Sequence, residues 1–382
     1  MAPQGLPVVI SWGMGADSTG LLLRWLHEPR TRPCNLDDLL VVTAMTGDEW
    51  PVTGVLAERH ILPRLRAFRV RWVQVARAGA SQSDGVAVLD DSREPARVHL
   101  AGVWKLSDEL RAAGTVPQVA GSRRCSLRAK GWVLDEFLRT EMAGRPYLHA
   151  MGYEVTEWRR ARRDSGYDTA TRTGIYPLLD WKWDRRTAES YIQEITGAAW
   201  PKSACSYCPF ALASRAGRAR VLPMYRADPG TAVQALSLEY LSVALNPRQG
   251  LAGGKRLAGI LAATGDHSHV LAAFQAQLDD VSWQVYEVRR ATRPRLHGDS
   301  GPSQQVRSLR SLATGSRSQA QAAVVHLAQV SGAELEDDDG ITRAWIRRSS
   351  AGSAAEHFIT CAPAGAVDKQ GRGFDLAWAA AT

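Results

Sequence analysis

Leu6-Pro7-Val8-Val9-Ile10-Ser11-Trp12-Gly13-Met14-Gly15-Ala16-Asp17-Ser18-Thr19 is an apolar run of strand length that breaks into a glycine loop. Leu21, Leu22, Leu23, Trp25 and Leu26 follow at helical density, so the stretch reads as strand, loop, helix. Such a turn points backbone N–H groups and the positive end of a helix dipole into one crevice, which suits phosphate. Gly13 and Gly15 permit close backbone approach, and Ser18 and Thr19 add hydroxyls at the first helical turn. A Walker loop would need Gly-Lys-Ser or Gly-Lys-Thr here, and a dinucleotide fingerprint a third glycine after Gly15; neither is present. The alternative is a tight turn whose glycines only satisfy backbone geometry.

Outward from this stretch, buried strands are expected at Leu39 to Met45, Val70 to Ala76 and Tyr147 to Met151, with helices at about Val52 to Phe68 and Ser126 to Glu141. That alternation predicts an α/β fold, a Rossmann-like α/β/α sandwich with a mostly parallel sheet. Arg77 to Ser122 reads as a long excursion with a short helix near Leu106 to Ala113. Ile175 to Trp181 reads as extended, and Asp184 as the N-cap of a helix stopped by Gly197. Three regions follow: 1–210 for the loop and cysteines, a helical extension over 211–280, and a small α+β C-terminal region over 281–382. In the last, a flexible segment is expected near 297–318, one helix at about Gln319 to Val330, and strands at Ile341 to Arg347, His357 to Cys361 and Phe374 to Ala379.

Across the 382 residues, 47 Lys and Arg against 39 Asp and Glu leave a net charge of +8, which suits a polyanionic partner. The dominance of Arg over Lys is equally what a GC-rich genome would give. No apolar stretch reaches the roughly 18 residues of a membrane span, and no secretion signal opens the chain, so the expected location is cytoplasmic with no membrane partner. Five cysteines argue against a disulfide framework and for reduced thiols with specific tasks.

Four segments in order carry a family resemblance. Ser11 to Thr19 resembles the pyrophosphatase loop of the adenine nucleotide alpha-hydrolase (PP-loop ATP pyrophosphatase) superfamily, in the form found in the phosphoadenosine phosphosulfate reductase family. Thr46-Gly47-Asp48-Glu49-Trp50 is similar to that family's acidic turn, and Gly152 with Glu157 and Arg160 to its Gly…Glu-x-x-Arg segment. Tyr176 to Trp181 with Pro201 to Phe210 resembles its closing segment. The resemblance implies an adenine nucleotide, ATP with Mg²⁺, held by Ser11, Gly13, Gly15, Ser18, Thr19, Thr46, Gly47, Glu49, Gly152 and Glu157. Asp17 and Asp48 would orient Mg²⁺ or ribose, and Arg160 would neutralise phosphate. Two departures stand out: Gly13 replaces a serine, and Ala16 a lysine, of the commoner Ser-Gly-Gly-Lys-Asp-Ser form.

Cys205-x-x-Cys208 suits Zn, an iron–sulfur cluster or a redox pair. The resemblance adds Cys125, in Arg123-Arg124-Cys125, as a third ligand of a [4Fe–4S] cluster with one open iron, Arg123, Arg124, Arg128 and Lys130 offsetting its charge. Three structural thiols, or Zn completed by His or Asp, are the alternatives. Cys34 reads as incidental and Cys361 as a core thiol. Asp48 or Glu49 could equally cap the next helix, and Glu157 with Arg160 form a surface ion pair. Trp158 to Arg163, with Tyr167 and Arg172, offers phosphate contact and base stacking, or a solvated helix face.

The resemblance thus implies cleavage between the α and β phosphates of ATP for sulfur transfer to DNA or RNA, with a sulfur-donor protein as partner. A sulfonucleotide reductase is the second reading, weakened by the lack of that family's Glu-Cys-Gly-like tail. A nucleic-acid-binding module with a structural metal is the third.

Overall fold

The computed structural model describes residues 5–119, 124–201, 203–293, 305–349 and 355–382. The chain divides into two compact units, Met1–Ser107 with Ser122–Ser206, and Asp108–Gly121 with Tyr207–Thr382.

The first unit is built on six strands: β1 (Val8–Ser11), β2 (Leu39–Ala44), β3 (Arg71–Arg77), β4 (Val86–Ser92), β5 (Tyr147–Ala150) and β6 (Arg172–Ile175). Their order in the sheet is β4-β3-β2-β1-β5-β6, parallel except for β4 against β3. Because β2 and β5 flank β1, the chain reverses its direction of travel across the sheet at β1, and open α/β sheets generally bind ligands at such a point, beyond the carboxyl ends of the strands. Alternate side chains serve opposite faces. Val8 and Ile10 join Leu22, Trp25 and Ile192 in one core, while Val9 joins Val42, Val133 and Leu138 in another. Each large aliphatic buried this way contributes roughly 1.5–3 kcal/mol. The first helix, Ala16–His27, lies with helix Arg185–Thr196 on the former side, where Gly20 admits Ala188 at close range.

Several expectations are met and several corrected. Asp184 accepts the Thr187 N–H at the start of Arg185–Thr196, and Gly197, at φ 73°, stops that helix. The excursion after β3 carries β4 as well as helix Leu106–Ala113. The extended segment lies earlier than expected: β6 ends at Ile175, and Pro177, pre-set for a first helical turn, starts helix Pro177–Asp180.

The second unit holds an antiparallel sheet of β7 (Trp283–Thr292), β8 (Gln305–Gly315), β9 (Glu334–Asp338), β10 (Ile341–Arg347), β11 (Glu356–Pro363) and β12 (Lys369–Gln370), in the order β12-β8-β7-β11-β10-β9. Leu241, Ala244 and Leu245 of helix Pro229–Leu245 pack on its Tyr286, Val288 and Phe358. Much of the stretch expected to be flexible near 297–318 is β8 and the start of helix Arg317–Ser331; residues 294–304 lie outside the described residues. Ser316 and Gln319 form a reciprocal capping box there. Phe374 to Ala379 is helical, not a strand, because Ala377 and Ala379 to Ala381 favour the helix that Gly373 opens. Cys361 is buried in β11, as a core thiol should be.

Candidate functional site

The glycine loop bridges β1 and the first helix at the reversal point of the sheet. Gly15 is the N-cap, and no side chain caps the helix, so its first N–H groups are left to another acceptor. Gly13 is exposed with open space where a Cβ would stand. Met14 adopts φ 55°, and its carbonyl accepts the Trp200 indole N–H at 2.9 Å, which fixes the loop from beneath. Gly152, just past β5, comes against the same helix start: a Cβ there would lie 2.8 Å from the Ser18 nitrogen and 2.9 Å from its Cα. Glycine is therefore required at Gly152 for close approach, and the packing supplies a physical reason for the glycine that the resemblance marked.

Asp17 lies in the first turn of helix Ala16–His27 and is partly buried. Its Oδ2 accepts from Arg185, 168 residues away, while its buried Oδ1 has no hydrogen-bond partner. An orphaned carboxylate oxygen beside uncapped amides fits a ribose hydroxyl or a Mg²⁺ ion carried in with a nucleotide. Burial pushes the Asp17 pKa up to about 6 against the pull of Arg185, with Glu157, Glu154 and Glu189 pushing further. Sequence reasoning missed Arg185, since nothing local marks a partner that the fold brings from so far along the chain.

Two hydroxyls of the expected phosphate grip are committed elsewhere. Thr19 is fully buried and accepts the Trp12 indole N–H at 3.0 Å. Ser11 lies 2.7 Å from His149 Nε2, a pairing that at first sight suggests an activated nucleophile. Its polarity is wrong for that. Arg172 Nε donates to His149 Nδ1 at 3.1 Å, so the imidazole proton sits on Nε2 and is donated to Ser11. Burial, then Arg172, hold His149 neutral with a pKa near 4. Ser18 remains at the site, its hydroxyl 3.4 Å from the Gly15 carbonyl.

The acidic turn after β2 is a braced loop. Gly47 takes φ 87°, and a Cβ there would collide with Lys105. Asp48 is buried and accepts the Ser107 N–H at 2.7 Å; its carbonyl accepts the Ser206 N–H. Glu49 accepts the Thr46 N–H, with the Lys130 ammonium 3.3 Å from its other oxygen. These contacts give Asp48 and Glu49 architectural work, and Glu49 pairs with Cys205 through an antiparallel bridge. Arg160 is exposed, pairs with Glu157 and lies 4.7 Å over the Tyr153 ring.

Cys125 lies in helix Arg124–Ser126, Cys205 beside Thr46, and Cys208 is the N-cap of helix Pro209–Leu212. Burial pushes the Cys205 thiol up to about 12, Glu49 adding to the effect and Lys130 opposing it. Among the described residues no group of three or more His, Cys, Asp and Glu side chains is disposed to hold a metal ion. Arg123 and Lys202 lie outside the described residues.

No family model, curated protein or solved structure matches this chain. No helix among the described residues is long and apolar enough to cross a membrane.

Proposed function

We propose that the first unit is a Rossmann-like PP-loop module that binds ATP and cleaves it between the α and β phosphates to activate a nucleic-acid target for sulfur transfer. The observation that carries the reading is the meeting of Gly152 with the uncapped start of helix Ala16–His27, beside the orphaned Asp17 oxygen, at the reversal point of a mostly parallel sheet. Amides of the loop and the helix dipole would take the phosphates, a role that suits the absence of a loop lysine. Asp17 would hold the ribose or Mg²⁺, and Arg185 would keep Asp17 ionised and oriented. An oxygen of the target attacks the α-phosphorus, the bond to the bridging oxygen breaks, and pyrophosphate leaves. A sulfur nucleophile delivered by a donor protein then displaces AMP from the adenylated target.

Helix Trp158–Asp164 supports a nucleic-acid target. Of its seven residues only Ala161 is buried; Trp158, Arg159, Arg160, Arg162 and Arg163 are exposed, and Tyr167 follows, 69% exposed. Aromatic faces among exposed guanidinium groups suit single-stranded nucleic acid. The test is pyrophosphate release from ATP and Mg²⁺ with and without tRNA or single-stranded DNA. Release that depends on nucleic acid and is lost in Asp17→Asn is expected. Binding of both ligands without release would leave a binding module, and sulfite release from a sulfonucleotide would make the chain a reductase.

A further inference from the structure

A cationic cleft lies in the second unit and is built from residues that the proposed chemistry does not use. Arg290 on β7 and Arg307 on β8 are direct cross-strand partners in the antiparallel ladder. Like charges set opposite one another weaken a sheet unless something between them carries the opposite sign. They open onto a cleft of about 250 Å³ whose wall also includes Thr115, Asn246, Gln249 and Gln305.

Among the described residues, carboxylates balance this charge only in part. Glu356, the cross-strand partner of Arg290 on its other side, takes both Arg290 at 3.0 Å and Arg248 at 2.9 Å on one oxygen, and the Ser349 hydroxyl on the other. Among the described residues Arg307 has no carboxylate within ion-pair distance. Its guanidinium donates to the carbonyls of Ala113 at 2.5 Å and Gly114 at 3.1 Å, and the Lys369 ammonium joins it on Ala113. Those bonds cap the carbonyl end of helix Leu106–Ala113 and explain where Arg307 and Lys369 sit, but a helix end supplies only about half a negative charge. Burial, then repulsion from Arg307, push Lys369 down to about 8; burial first, with Arg248 and Arg307 adding, pushes Arg290 down to about 10 against the pull of Glu356.

The polar wall is set to donate. Arg290 is held by Asn246 Oδ1 at 2.7 Å and Gln305 Oε1 at 2.6 Å, and Gln249 Oε1 accepts the Thr115 and Ser242 hydroxyls. With these amide oxygens spent inside the protein, the amide nitrogens are the ends left for a ligand. Two guanidinium forks with neutral donors around them match a tetrahedral oxyanion. The volume falls below the roughly 300–1,000 Å³ of pockets that enclose a drug-sized ligand, so the cleft suits one anionic group rather than a whole nucleotide.

We propose that this cleft binds a phosphoryl group, either free phosphate or the phosphate of a nucleic-acid backbone, between Arg290 and Arg307. The test is calorimetry of inorganic phosphate into the full chain at constant ionic strength, with chloride as control, on wild type and Arg307→Gln, whose amide retains donors for the helix carbonyls. Saturable binding in wild type, weakened about tenfold or more in the variant, is expected. Lys369→Gln, which removes the positive charge beside Arg307, provides the same reading should Arg307→Gln not fold. Competition assigns the source: displacement of a bound oligonucleotide by phosphate identifies a backbone phosphate, and phosphate binding without displacement identifies the free ion. No saturable binding at tens of millimolar phosphate, equal binding by all folded variants, or an equal response to chloride would overturn the proposal.

Discussion

Asp17 is the residue on which the proposed chemistry turns, and its burial makes that role measurable. Its pKa rises from the ordinary 3.8 to about 6. Between those values the folded chain keeps a proton that the unfolded chain has released. The contribution of this group to stability is therefore complete below about pH 4 and is lost as pH rises through about 6. Asparagine keeps the neutral shape throughout. Asp17→Asn is expected to match wild type near pH 4 and to exceed it by about 2 kcal/mol near pH 8, read by urea unfolding across that range. A difference that does not grow with pH contradicts the burial cause. The neighbouring Ser11–His149 pair shows why geometry must be read with its proton: one hydrogen bond from Arg172 turns an apparent dyad into a structural brace.

In the proposed function helix Trp158–Asp164 would tie the nucleotide site to a polymer substrate, since it follows closely on Gly152 and buries almost nothing of itself. Trp158→Ala is expected to cost roughly 1–3 kcal/mol in single-stranded nucleic-acid binding if a base stacks there. Removing Arg162 and Arg163 together should flatten the dependence of log K on log salt by about 0.7 for each phosphate that the pair neutralises. Unchanged affinity and slope, measured by fluorescence anisotropy, would return this helix to a solvated face. The strands that sequence reading found are the ones buried on both sides, such as β1, β2 and β3, whose apolar runs need no partner to be recognised. Those it missed lie mostly at sheet edges: β4 has no fully buried residue and β9 is largely acidic, its Glu334 and Glu336 answered by Arg348 and Arg343 on other segments. The β8 stretch hides its alternation because only Ser308 and Leu309 are buried. At the site, Gly15 and Gly152 were legible because glycine marks close approach, which Gly13, with open space around it, does not show, whereas the Arg185 partner of Asp17 and the commitments of Thr19 and Asp48 depend on residues that only the fold brings together.

At the scale of the whole chain, two sheets of different logic share one sequence. The first unit is mostly parallel and reverses at β1; the second is antiparallel and concentrates cations between β7 and β8. With a net charge of +8, both units are suited to anionic ligands. The claim that supports the rest is that the start of helix Ala16–His27 holds nucleotide phosphates while Gly152 makes room for it. Calorimetric titration of an α,β-nonhydrolysable ATP analogue with Mg²⁺ tests it, run on wild type and on Gly152→Ala checked for native circular dichroism. One saturable site per chain, weakened about tenfold or more in the variant, is the expected result. No heat of binding at millimolar nucleotide, or equal binding by a folded Gly152→Ala protein, would contradict it.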